Sequence, residues 1–341
     1  MRRLNRKRMP YGAVLGIMGA LLIFSILFSV TLGRYPIKIK EVLGILGSKI
    51  FNIEPFWEPA AESLLLQHRL PRILLACLVG CSLATAGASY QGVFQNPMAA
   101  PDILGASSGA AFGAALGILL GMNSAMIVVF AFAASLICVA LVIFVGNRAK
   151  GKRVVGLILA GIMVSSLFSS GTSYIKLVAD PTNELPAITY WLMGSLNGTM
   201  PGDVLFAFIP MTLGLLPLLF LRWRINILTL GDSEAQTMGV NVKVLRVVVI
   251  LCATLVTAAA VSVSGVIGWV GLVIPHLARR LVGNDYRKLL PASMLSGAIF
   301  LLLVDDVSRN ALATEIPIGI LTSLIGAPFF LYLITRNGER V

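Results

Sequence analysis

The chain has 341 residues, 57% of them hydrophobic and 12% charged, with a mean hydropathy of +0.90. A soluble domain carries about 25% charged residues, and no stretch here is long and polar enough for one, so an aqueous globular fold is excluded. The net charge of +12 does not point to nucleic acid, because the basic residues cluster beside short loops between apolar runs, the mark of the cytoplasmic side of a membrane protein.

At about 20 apolar residues per crossing there is room for about ten helices. The fold class is therefore all-α: a polytopic membrane protein, read as one transmembrane domain over residues 1–341. Arg2, Arg3, Arg6, Lys7 and Arg8 precede the first apolar run. That run is too long for a signal-peptide core and no A-x-A site follows it, so it is read as an uncleaved helix 1, about residues 11–33. A segment with Trp57 and several acids then lies outside. Apolar patterning predicts helix 2 over about 64–88, a short broken helix 3 over about 94–108, and helix 4 over about 122–146.

The loop with Arg148, Lys150, Lys152 and Arg153 falls inside, as its charge demands. Helix 5 (about 154–178), an outer loop from Asp180 to Tyr190 and helix 6 (about 202–221) complete the first group, 11–221. The polar segment 222–243, with Arg222, Arg224 and Lys243, is cytoplasmic. Helix 7 (about 244–264), a broken helix 8 (about 268–282), helix 9 (about 288–304) and helix 10 (about 317–335) make up the last group, 244–335. Both termini are then cytoplasmic and the protein is multi-pass in the plasma membrane.

Two apolar stretches are interrupted by Gly and Pro: Gln95-Asn-Pro-Met-Ala-Ala-Pro-Asp-Ile-Leu-Gly105 and Gly265-Val-Ile-Gly-Trp-Val-Gly-Leu-Val-Ile-Pro-His276. In hydrocarbon, backbone amides must be satisfied internally, so a broken helix survives only inside protein or beside a water-filled cavity. Paired broken helices point to a translocation pathway. A shift of 174 residues aligns Arg72 with Arg246, Pro101 with Pro275 and Gly109 with Gly283, the pattern of an inverted repeat.

Residues 226–239 read as a small amphipathic helix under the membrane, capped by Asp232 and stopped at Gly239. Leu230, Ala235 and Met238 form its apolar face, and the length exceeds what a passive connector needs, which favours a docking surface. Arg69, Arg72 and Arg309 fall outside, against the topological bias; they either pair with local acids, such as Asp305 with Arg309, or form a rim for an acidic partner. The run from Gly146 to Lys152 copies most of a P-loop, but Arg153 replaces the Ser or Thr and a helix precedes it, so ATP binding there is rejected. His68 and His276 lack ligand-spaced companions, and Cys77, Cys81, Cys138 and Cys252 read as packing residues. No metal site and no catalytic constellation is assigned.

Arg69-Leu-Pro-Arg72, Gln95-Asn-Pro-Met-Ala-Ala-Pro101, Gly105-Ala-Ser-Ser-Gly109, Trp191-Leu-Met-Gly-Ser195, Leu228-Thr-Leu-Gly231, Gly268-Trp-Val-Gly-Leu-Val-Ile-Pro-His276 and Glu315-Ile-Pro-Ile-Gly319 occur in this order. Together they resemble the permease subunits of iron-siderophore, haem and vitamin B12 ABC importers. The resemblance implies a pathway between two permease subunits, identical or paralogous, with two cytoplasmic ATPase subunits that use ATP and Mg2+, and an extracytoplasmic substrate-binding protein. This chain would bind no cofactor itself and would not be an enzyme.

The resemblance also implies roles by position. Arg69, Arg72 and Arg309 would dock the binding protein. Leu228, Leu230, Gly231, Glu234, Ala235 and Gly239 would couple to the ATPase. Asn96 and Met98 would form a cytoplasmic gate, with Val154 and Val155 at a second. The pattern departs at Met98, usually Leu, at Ala100, usually acidic nearby, and at the apolar Val154 and Val155. Ferric siderophore is the commonest cargo of such permeases, with haem, a corrinoid or an oxyanion such as molybdate as alternatives, and the pathway residues legible here are small and apolar. The competing reading is a secondary transporter, which needs an ionisable residue near the midplane. A scaffold without transport would leave the broken helices unexplained.

Overall fold

A computed structural model describes residues 9–148 and 153–336, apart from 34, 36, 50, 52 and 53. The expectations placed on Arg2, Arg3, Arg6, Lys7, Arg8, Lys150 and Lys152 lie outside the described residues, as does the side chain of Arg153.

The described residues form helices only, joined by turns and loops. The order is α1 (Tyr11–Thr31), α2 (Ile39–Ser48), α3 (Pro59–Ser63), a π-turn (Leu64–Arg69), α4 (Leu70–Val93), a 3-10 turn (Pro101–Leu104), α5 (Ala106–Leu119), α6 (Ser124–Arg148) and α7 (Arg153–Val178). Then follow α8 (Glu184–Leu192), α9 (Pro201–Leu228), α10 (Asp232–Thr237), α11 (Val242–Ser264), α12 (Val270–Val282), α13 (Tyr286–Asn310) and α14 (Ile318–Arg336). Seven helices among the described residues are long and apolar enough to cross a membrane. With the shorter α5, α12 and α14 they agree with the ten crossings expected.

Burial separates core from periphery. The span through α4 is 78% buried, α11 67% and α13 61%, against 28% for α1, α6 and α9 and 17% for α7. In hydrocarbon, helices associate by close packing of small residues. A Cβ at Gly87 of α4 would overlap the backbone of Gly271 in α12, and one at Gly80 would overlap Gly297 in α13. Gly87→Leu is expected to abolish the folded state, since overpacking typically costs about 1–3 kcal/mol even where side chains can move and here the obstacle is backbone. Loss of the monodisperse peak in detergent chromatography checks this.

The two halves echo each other. α4 packs on α11, α12 and α13, while α11 packs on α4, α5 and α6. α4 starts at the far end, where α1 stops, beside Val30; α11 starts at the near end, where α1 begins. That is an inverted arrangement, although the 174-residue register does not hold in detail: Pro101 opens a 3-10 turn, whereas Pro275 lies inside α12.

Several predicted boundaries are corrected. Residues 94–108 are not a helix: α4 runs on to Val93, a loop follows, and the helix begins only at Ala106. The residue before a proline avoids the α conformation, so Asn96-Pro97 ends the helix, and Gln95 takes a left-handed φ of 51°. Helix 6 does not stop at 221; α9 continues two turns through Arg222 and Arg224 to Leu228. The expected outer loop 180–190 contains most of α8, and the segment with Trp57 contains α2 and α3.

Candidate functional site

At the near end, α9 stops at Leu228 and the chain turns through Gly231, whose φ of 127° favours glycine. α10 follows, and Gly239 (φ 78°) ends it as expected. Asp232 does not cap this helix. Its carboxylate instead pairs with Arg246 of α11 at 2.7 Å. The predicted apolar face is divided: Ala235 is buried in the protein, while Leu230 and Met238 are 60% and 53% exposed; Leu228, the last residue of α9, is buried as well. Glu234 and Gly239 are exposed as well.

This segment is tied to both broken helices. Gln95 Nε2 donates to the Leu228 carbonyl at 2.7 Å, so the first broken stretch holds the last turn of α9. Asn226 Oδ1 accepts from the Tyr286 backbone N–H at 3.0 Å. The Tyr286 hydroxyl accepts from Arg279 at 3.2 Å, Arg279 donates to Gln91 Oε1 at 2.5 Å, and Gln91 Nε2 reaches the Gly271 carbonyl at 3.4 Å. The near end of α9 is thereby linked to α4, to the 95–105 loop and to α12. Asn96 and Met98 stand exposed at the tip of that loop, with Asn96 Oδ1 accepting from the Met98 N–H at 2.9 Å. Val155, at the start of α7, is 51% exposed and Val154 partly buried.

At the far end the structure brings Arg69, Arg72 and Arg309 around one shallow pocket with His68, Asn310 and Glu315. All three arginines have partners within the chain, although Arg309 Nε is buried without a hydrogen bond among the described residues. Arg72 makes paired bonds of 2.9–3.1 Å to Asp305, which is fully buried, and of 3.0 Å to Glu315. Arg69 donates to the Val30 carbonyl at 2.9 Å and to the Tyr35 carbonyl, covering orphan acceptors after α1. Arg309 pairs with Asp306 and donates to Ser29 Oγ at 2.6 Å. The local pairing with Asp305 is present but long, at 3.7 Å. Sequence gave no sign of Glu315 as a partner, because 243 residues separate it from Arg72.

Between these ends lies a cavity of about 400 Å3 whose polar lining residues include Asp102, Ser107, Ser108, Ser169, Ser173 and Lys176. Ser107 Oγ donates to Asp102 Oδ1. A Cβ at Gly161 of α7 would meet the Ile103 carbonyl, which places the 3-10 turn eight residues, roughly 12 Å, inside the start of α7. Asp102 is therefore an ionisable group within the membrane, which the sequence reading overlooked along with the hydroxyl stripe of α7. Beside small and apolar residues such as Ala111 and Val266, this cavity carries a carboxylate, hydroxyls and a lysine. Among the described residues no group of three His, Cys, Asp or Glu is placed to hold a metal, and the four cysteines are free thiols.

The profile of the FecCD transport family matches residues 21–336. The chain belongs to the FecCD transport family. It is 44% identical over 276 residues to a probable iron chelatin transport system permease protein of Helicobacter pylori, covering 80% of this chain and 83% of that one. It is 40% identical over 331 residues to the molybdate import system permease protein MolB of Haemophilus influenzae, covering 96% and 98%. A solved structure described as an inward-facing conformation of a metal-chelate type ABC transporter superposes with a TM-score of 0.85 at 38% identity, covering 95% of this chain and 99% of that one. As a FecCD member, the chain is a multi-pass transport permease and not an enzyme.

Proposed function

We propose that this chain is the permease of a binding-protein-dependent ABC importer for a metal chelate, in the plasma membrane with its near end cytoplasmic. The near-end linkage carries the reading: an exposed surface at Leu230, Glu234, Met238 and Gly239 is joined to both broken helices through Gln95 and Arg279. One ATPase subunit would dock on that surface of each permease, two in the assembly, with Leu228, Gly231 and Ala235 holding its shape. Nucleotide-driven closure would then move the 95–105 loop, opening or shutting the way past Asn96 and Met98, with Val154 and Val155 at a second gate. ATP and Mg2+ belong to the partner; this chain converts the movement into access.

The pathway runs along the face of α5 and α7. An intramembrane carboxylate and hydroxyl-rich helix face lines a water-filled route rather than lipid, and α7 is the least buried span. A second permease, identical or paralogous, would close that face. At the far end, the binding protein would dock over Arg72, with Arg69 and Arg309 holding the surface beneath it. The cargo is a ferric chelate such as a siderophore. Haem and cobalamin are the alternatives of the same class, and the molybdate permease among its relatives adds an oxyanion.

Asp102 supplies the intramembrane acid that a gradient-driven transporter would use; family membership weighs against that mechanism. Affinity purification from the native membrane followed by native mass spectrometry tests the assembly. Two permeases with two ATPases support the reading, and a lone permease even after crosslinking refutes it. Replacing Leu230 and Met238 by Asp is expected to release the ATPases while the permease pair survives. Retention of ATPases by that variant would count against this surface.

A further inference from the structure

We infer that the groove between α1, α4, α9 and α13 is a binding site for one anionic phospholipid, with an acyl chain in the groove and the phosphate at Arg222 and Lys288. The groove measures about 710 Å3, and Leu15, Leu22, Leu74, Leu78, Met294 and Leu295 give it an apolar lining. Tyr11 and Arg222 stand at its near-end mouth. Lys288 lies over the Tyr11 ring, with Nζ 5.8 Å from its centre.

Among the described residues neither Arg222 nor Lys288 is hydrogen-bonded to a carboxylate. Asp285, the carboxylate beside them, is bonded to Arg287 at 2.8 Å and also attracts Lys288 across space. One carboxylate shared among three cations, Arg222, Arg287 and Lys288, leaves an excess of positive charge at the mouth of an apolar groove, which matches a lipid whose headgroup is anionic and whose tail is hydrocarbon. Basic pockets between membrane helices on the cytoplasmic side recognise lipids in this way. A neutral lipid would satisfy the groove and leave the cations unanswered. Positive-inside topology alone explains the presence of basic residues at this end, but not their position at the mouth of the groove. The inference needs the near end to face the cytoplasmic leaflet and does not depend on the importer reading.

The test is native mass spectrometry of the purified full chain in micelles with equimolar phosphatidylglycerol and phosphatidylcholine. The expected result is one retained phosphatidylglycerol per chain, favoured about tenfold, given the attraction each basic residue adds near a charged lipid surface. Arg222→Ala with Lys288→Ala should erase the preference while total lipid retention stays. Arg224→Ala with Lys243→Ala, exposed basic residues of the same end outside the groove lining, should keep it. Equal retention of the two lipids by the native chain, or an unchanged preference in the groove variant, would overturn the assignment. If the groove variant does not fold, the melting temperature of the native chain is followed as each lipid is added, since a ligand that binds only the folded state stabilises it. A rise that saturates near one phosphatidylglycerol per chain and that phosphatidylcholine does not reproduce supports the site, and its absence would overturn it.

Discussion

Gln95→Ala is expected to separate ATP hydrolysis from transport. The side chain makes one bond, to the Leu228 carbonyl, and through it the last turn of α9 acts on the first broken helix. Losing a bond of this kind costs about 1–3 kcal/mol where an acceptor is left unpaired, and coupling energies of that size change linked equilibria by about 5–150-fold. The assembled complex should therefore keep its ATPase activity while uptake per ATP falls by at least about tenfold. Gln95→Arg, which keeps a donor of similar reach, should retain most uptake, and Arg279→Ala should uncouple in the same way through Gln91 and Tyr286. Equal losses of hydrolysis and uptake in Gln95→Ala would assign the residue to ATPase docking or to folding instead.

Arg72→Ala is expected to lower stability strongly while leaving a folded protein to measure. Arg72 is the main partner of Asp305, which lies fully buried in α13. Removing one member of a buried pair strands the other charge, at a cost of about 3–5 kcal/mol. A large fall in the melting temperature in detergent should follow before any docking is measured. Replacing both partners, Arg72→Met with Asp305→Leu, should recover much of the loss, since buried ion pairs exchanged for packed apolar residues are often neutral. Glu315→Gln, at the more exposed end of the network, should cost little stability. If Arg72→Ala keeps the native melting temperature and loses only binding-protein docking, the arginine is a contact point and the internal pairs are incidental.

These two residues also show what a single sequence can tell. Crossings and breaks were legible because hydropathy and Gly or Pro act locally: Gly265 ends α11 where expected, while α4 runs past the end expected near residue 88 and stops at Val93, before Pro97. The helix expected over 226–239 was legible only in part: residues 226–228 belong to α9 and α10 is confined to Asp232–Thr237, with Ala235 turned inward by tertiary packing. The arginine cluster was found as a breach of the charge rule. Its acids were only half visible: Asp305 is a turn away from Arg309, but Glu315 reaches Arg72 across 243 residues. Asp102 was missed because a broken segment read as a helix hides its depth, and the turn at Pro101–Leu104 is what brings the carboxylate against α7. α2, α3 and α8 escaped notice because short helices pack beside the spans without a hydropathy signal of their own.

The most direct test of the central claim is uptake into proteoliposomes that contain this permease with its co-purified ATPase and binding protein. With a radiolabelled ferric chelate outside, uptake is predicted to require MgATP on the ATPase side and the binding protein on the other, and to survive collapse of ion gradients by ionophores. Uptake by this chain alone, driven by a proton or sodium gradient and abolished by Asp102→Asn, would contradict it.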